Sequence, residues 1–147
     1  MAIEQKVRLV EELFLGLEKE ISVFKSETSL HCLTGCGKCC SKPEIDASPL
    51  EFLPWALHLF LNGQAEEVLL ELDNSSISTC HIYRPLALIE EYNGSCSNYR
   101  YRGLICRLFG YAANRDKYGD LRLATCKIIK EDQLENCRLN VGEIYNI

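Results

Sequence analysis

Four cysteines fall within nine residues: Cys32, Cys36, Cys39 and Cys40, in the stretch His31-Cys32-Leu33-Thr34-Gly35-Cys36-Gly37-Lys38-Cys39-Cys40. A cluster of thiols this tight needs a reason, and the two usual reasons are disulfide bonds and metal ligation. Gly35 and Gly37 sit inside the cluster. They let the backbone bend tightly enough for neighbouring thiolates to converge, so the segment reads as a loop.

Compartment decides between the two chemistries. Charges interrupt Met1-Ala2-Ile3-Glu4-Gln5-Lys6-Val7-Arg8 every few residues, which leaves no apolar core for a signal peptide. The run Leu53–Leu61 contains Pro54 and His58 and is too short to span a bilayer. The expectation is therefore a cytoplasmic protein with no membrane partner, where clustered cysteines bind metal more often than they cross-link. The odd total of nine cysteines also fits a closed disulfide framework poorly. At 147 residues the chain reads as one domain able to hide roughly two-thirds of its unfolded surface, so it does not need cross-links merely to fold. A net charge of −5 gives no basic patch and no expectation of a nucleic-acid partner.

The N-terminal segment predicts a helix over 3–25. Ile3, Val7, Val10, Phe14, Leu17, Ile21 and Phe24 recur every three or four residues, and Leu9, Leu13 and Leu15 widen the stripe. A helix packed on its own domain is the plainer reading, and a homodimer through this helix is the alternative. A second helix starts at Ser48, where Ser48, Pro49 and Glu51 supply a cap, a first-turn proline and a capping box. Leu50, Leu53, Leu57, Phe60 and Leu61 form its expected buried face, Pro54 is expected to kink it, and Asn62-Gly63 ends it. A third helix covers about 64–72. Turn signals at Asn93-Gly94 and Tyr118-Gly119-Asp120 predict two hairpins, 86–91 with 95–99 and 109–114 with 120–126. Short helices near 104–109 and 127–138 complete an α+β fold, predominantly helical with short β-hairpins, organised around a cysteine-ligated metal centre.

The other cysteines are scattered: Cys80, Cys96, Cys106, Cys126 and Cys137. A zinc ribbon brings two Cys-x-x-Cys knuckles together, and this chain has one, Cys36 to Cys39. One compact loop plus scattered thiolates is closer to how iron–sulfur clusters are held, although soft thiolates suit zinc as well. Adjacent side chains in extended backbone point to opposite sides, so Cys39 and Cys40 reach one metal only from a contorted backbone; otherwise they serve two sites, or one ligates and the other packs. The spacing Cys32-x3-Cys36-x2-Cys39 also matches the cluster loop of radical S-adenosylmethionine enzymes, but the chain is short for their barrel of about 200 residues or more.

The cysteine loop, followed by Cys96-Ser97-Asn98-Tyr99-Arg100-Tyr101-Arg102-Gly103-Leu104-Ile105-Cys106-Arg107, resembles the paired signatures of the YkgJ-like cysteine-cluster family, a zinc- or iron-chelating domain. The resemblance spans 32–126. The first gap is one residue longer here, and Gly103 stands where the family has proline. What the resemblance implies is a metal centre of Cys32, Cys36, Cys39, Cys40, Cys80, Cys96, Cys106 and Cys126. Arg102 and Arg107, read from the residues themselves, have two readings: they compensate thiolate charge around the cofactor and donate to sulfur, or they form ordinary surface salt bridges. A similar cluster in flagellin lysine methylases looks like an iron–sulfur site, but no Gly-rich loop follows a strand here, so methyl transfer is not carried over.

The expected cofactor is an iron–sulfur cluster of four irons, with zinc as the alternative. The expected role is a redox or metal-handling accessory protein. A zinc-stabilised binding module and an enzyme with an open metal site are the other readings, and no protein partner or small-molecule substrate is identified. Cys137 reads as a small buried hydrophobe, Tyr99 as core packing, and His58 as partly buried structure. His31 and His81 adjoin cysteines but are not needed as ligands.

Overall fold

The structure is a computed structural model and describes residues 1–33, 35–43, 45–85 and 94–133. Among these the fold is α+β, about half helical, with five α-helices and two small antiparallel hairpins. The chain divides into two compact units, one of Met1–Leu13 with Leu33–Gly103 and the other of Phe14–Cys32 with Leu104–Ile147.

Helix α1 (Ile3–Thr28) contributes its first half to one unit and its second half to the other. The three-four seam is what it buries: Val7, Val10, Phe14, Ile21 and Phe24 are all 8 % exposed or less. Leu9, Leu13 and Leu15, expected to widen the stripe, are instead more than half exposed. The helix runs three residues past the expected end. Thr28 Oγ1 donates to the Phe24 carbonyl (2.7 Å) and accepts from the Leu30 amide (3.2 Å). Ser29 then turns left-handed at φ 57° and stops the helix.

In the cysteine-loop unit, the Ser48 hydroxyl accepts from the Leu50 amide and the Glu51 carboxylate accepts from the Ser48 amide. This capping box opens a 3₁₀ turn (Pro49–Phe52), which leads into α2 (Leu53–Leu61). Pro54 lies in the first turn of α2, where a missing N–H breaks no helical bond. Gly63 closes α2 at φ 69°, and α3 (Ala65–Asn74) follows with Glu66 and Glu67 in its first turn. The expected apolar face of α2 is not buried as a whole: Leu50, Phe60 and Leu61 are 51 %, 71 % and 73 % exposed. Strands β1 (Tyr83–Pro85) and β2 (Gly94–Cys96) pair antiparallel, with Tyr83 opposite Cys96 and Pro85 opposite Gly94. Gly94 is thus part of the second strand rather than its turn. The expected strand 86–91 lies outside the described residues. The 3₁₀ turn Tyr99–Tyr101 follows.

The second unit holds α4 (Leu104–Leu108), the hairpin β3 (Ala112–Arg115) and β4 (Leu121–Ala124), and α5 (Lys127–Asp132). The hairpin matches the expected one. The Asp116 carboxylate accepts from the Tyr118 and Asp120 amides and from Arg122 Nε, while Gly119 takes φ 90°. The hydrophobic core is here: Ile21, Phe24, Leu30, Tyr111 and Ile129, with Leu123 and Cys126 packed against it. Phe24 meets Tyr111 edge-on at 6.2 Å between ring centres. Residues 134–138 of the last expected helix, with Cys137, lie outside the described residues.

Truncating Phe24 leaves a cavity at the centre of this cluster. Phe24→Ala should lower unfolding free energy by about 3–5 kcal/mol. Leu15→Ala, 63 % exposed in the same helix, should change it by less than about 0.5 kcal/mol. Urea denaturation followed by circular dichroism checks both.

Candidate metal centre

The cysteine loop is a succession of tight turns. The Cys36 amide donates to the Leu33 carbonyl (3.1 Å), the Ser41 amide to Gly37 (3.0 Å), and the Lys42 amide to Cys39 (3.4 Å). Gly35 makes the bend with φ 76°, a conformation that side chains rarely adopt. Cys39 and Cys40 lie within one of these turns rather than on extended backbone. The expected opposition of their side chains therefore does not arise.

The Cys40 side chain hydrogen-bonds to Cys39, and that bond above all pulls the Cys39 thiol down to about 6. Partial burial opposes it, while the backbone amides of Cys39 and Cys40 and the charge of Lys42 assist. Cys39 thus ionises well below the ordinary thiol range.

A second pair forms at the hairpin. Cys80 directly precedes it: the Tyr83 amide donates to the Cys80 carbonyl (3.1 Å). Cys96 ends β2 opposite Tyr83. Burial pushes the Cys96 thiol up, and the nearby Cys80 pushes it further, against the Asn98 amide and the charge of Arg102. Arg102 lies flat over the Tyr99 ring at 3.9 Å and donates to the Tyr99 carbonyl (2.9 Å). Tyr99 is 64 % exposed, so it is a platform for Arg102 and not core packing. Gly103 stands where a side chain would meet the Phe52 ring at 3.1 Å and the Glu51 carboxylate at 3.0 Å.

The loop and the hairpin are fastened together. The Gly94 amide donates to the Gly35 carbonyl (3.0 Å). The Tyr83 ring lies against both Gly37 and Gly94: a Cβ built on Gly37 would fall 2.5 Å from Tyr83 Cε2, and one built on Gly94 would overlap the same carbon. Cys36, Cys39, Cys40, Cys80 and Cys96 are all carried by these joined segments. Sequence reasoning read Gly94 as a turn residue and gave Tyr83 no role. The sequence signal for both was composition alone, a glycine at the end of one strand and an aromatic in the other.

Cys32, Cys106, Cys126 and Arg107 lie in the other unit. Cys32 and Cys106 are exposed. Cys126 caps α5, its sulfur accepting the Ile129 amide at 3.4 Å. Arg107 is 6 % exposed, ion-paired to Glu18 and lying 4.2 Å over the Phe14 ring. Of the histidines, His31 Nδ1 lies 3.0 Å from the Ser29 carbonyl, His81 pairs with Glu71 at 3.3 Å, and His58 stacks on Tyr101. His58 is exposed, not partly buried.

The donor set is soft, and five of its thiols share one unit, which suits zinc or an iron–sulfur cluster. As placed, the described residues show no group of three or more potential ligands poised around one point. They present two thiol pairs. No family model, curated protein or solved structure matches this chain, and among the described residues no helix is long and apolar enough to cross a membrane.

The two pairs should differ in reactivity. In the reduced, metal-free protein, iodoacetamide labelling of Cys39 should rise as pH passes through about 6, because the thiolate is the nucleophile. Labelling of Cys96 should rise only above the ordinary thiol range. Mass spectrometry of labelled peptides across pH reads both.

Proposed function

We propose that the chain is a cysteine-ligated metal protein of the YkgJ-like type, holding an iron–sulfur cluster and serving as a redox or metal-handling accessory protein. The observation that carries this reading is the gathering of five cysteines, from three separate stretches, into one unit whose described residues bury few large apolar side chains. Among the described residues, all five members of the buried hydrophobic cluster belong to the other unit. Among its own described residues, the cysteine-loop unit buries Val7, Val10 and Ile82 as its large apolar side chains. Metal binding energy becomes folding energy where a preformed core is thin.

Cys36, Cys39, Cys40, Cys80 and Cys96 are the thiols this argument supports. Arg102 belongs with them, since its charge already acts on Cys96 and an outer-shell cation moderates a thiolate-rich centre. Cys32, Cys106 and Cys126 are assigned to metal by the resemblance alone. Arg107 is assigned to the cofactor by its charge, and its contacts to Glu18 and Phe14 equally suit a structural ion pair. When bound, a cluster would supply electron transfer or transferable iron.

The thin core also favours a second reading, a zinc-stabilised binding module in which metal only organises the loop and hairpin. Anaerobic purification with iron, zinc and acid-labile sulfide analysis separates the two. The iron–sulfur reading expects a brown protein with iron and sulfide, bleached on reduction. A colourless protein with stoichiometric zinc selects the binding module. A protein with neither metal, folded and unable to acquire one under reducing conditions, overturns both.

A further inference from the structure

We propose that Tyr83 is the positioning residue of the cysteine centre, its ring seated in the notch left by Gly37 and Gly94 so that the Cys36–Cys40 loop is set against the hairpin bearing Cys80 and Cys96. The inference rests on the metal reading above.

Tyr83 meets all three cysteine-bearing stretches, each through a different part of itself. Its amide donates to the carbonyl of Cys80 (3.1 Å). Its backbone stands opposite Cys96 in the hairpin register. Its ring covers Gly37, one residue after Cys36. The same ring covers Gly94, whose amide holds the Gly35 carbonyl (3.0 Å). The neighbouring Ile82 is 4 % exposed, and its carbonyl accepts from both the amide and the hydroxyl of Ser97 (2.9 and 3.1 Å). The base from which the ring projects is therefore fixed.

The two glycines are needed for a steric reason. Neither has a positive φ, so the backbone does not demand glycine at either position. What demands it is the ring. A methyl group at Gly94 would occupy the space of Tyr83 Cε2, and one at Gly37 would press on the same edge. The ring cannot move away without leaving the loop, because the loop and the strand bound the notch on its two sides. Such packing orients ligands without touching the metal, as outer-shell partners do elsewhere.

The test is a cobalt(II) titration of the reduced, metal-free full chain, read by thiolate-to-cobalt charge-transfer absorption. The variants are Gly94→Ala, Gly37→Ala, Tyr83→Ala and Tyr83→Phe. The first three should weaken cobalt binding by about tenfold or more, the range that outer-shell partners command. Tyr83→Phe keeps the ring and should bind as the wild type does. Hydrogen exchange at the Gly94 amide gives a second readout that does not depend on metal. It should be slow in the wild type and in Tyr83→Phe, and fast in Tyr83→Ala, with the α1 amides unchanged. Wild-type cobalt affinity and slow Gly94 exchange in both Tyr83→Ala and Gly94→Ala would overturn the positioning role and leave the metal reading standing. A wild-type chain that gives no cobalt–thiolate band would overturn the metal reading and this inference with it.

Discussion

The hydrogen bond from the Gly94 amide to the Gly35 carbonyl joins the cysteine loop to the first hairpin. Without it, the described loop is a chain of local turns with thiols attached. With it, Cys36, Cys39 and Cys40 share a unit with Cys80 and Cys96. A single bond of this kind contributes only about 1 kcal/mol net. Its force here comes from the Tyr83 ring packed beside it, which excludes water and closes the gap that two glycines leave. Close packing and a hydrogen bond reinforce one another because each holds the geometry the other needs.

The two units divide the physical work. The second is held by apolar packing: Phe24 on Tyr111, Ile21 and Leu30 beside them, and Ile129 from the last described helix. It also buries Arg107, which is tolerable because Glu18 neutralises it and the Phe14 ring receives its face. Among the described residues, the first unit buries fewer large apolar side chains and carries Cys36, Cys39, Cys40, Cys80 and Cys96. Five of the eight described cysteines share the unit that lacks the hydrophobic cluster, and in such a unit a bound metal would contribute to folding.

Much of this was legible in the sequence, and the reasons are local. The three-four spacing from Val7 to Phe24 gave α1, because a helical seam needs only its own period. Ser48, Pro49 and Glu51 gave the start of the second helical segment, and Gly119 gave the second hairpin. Burial was less legible. Leu9, Leu13, Phe60 and Leu61 are apolar and helical yet exposed, because which side of a wide stripe is covered depends on neighbours distant in sequence. The Cys39-Cys40 pair failed for a related reason. Its geometry follows from the turn that contains it, and alternation applies only to extended backbone. Tyr83 was invisible because nothing in its own sequence neighbourhood announces a notch made by residues 37 and 94.

The central claim is that a metal sits among the thiols of the cysteine-loop unit. X-ray absorption spectroscopy on the protein as purified without oxygen tests it most directly, with the Cys32→Ser/Cys106→Ser/Cys126→Ser variant measured in parallel. The account predicts a first coordination shell of sulfur alone, unchanged in the triple variant. A shell containing nitrogen or oxygen ligands, or one that collapses when the three cysteines of the other unit are removed, would contradict it.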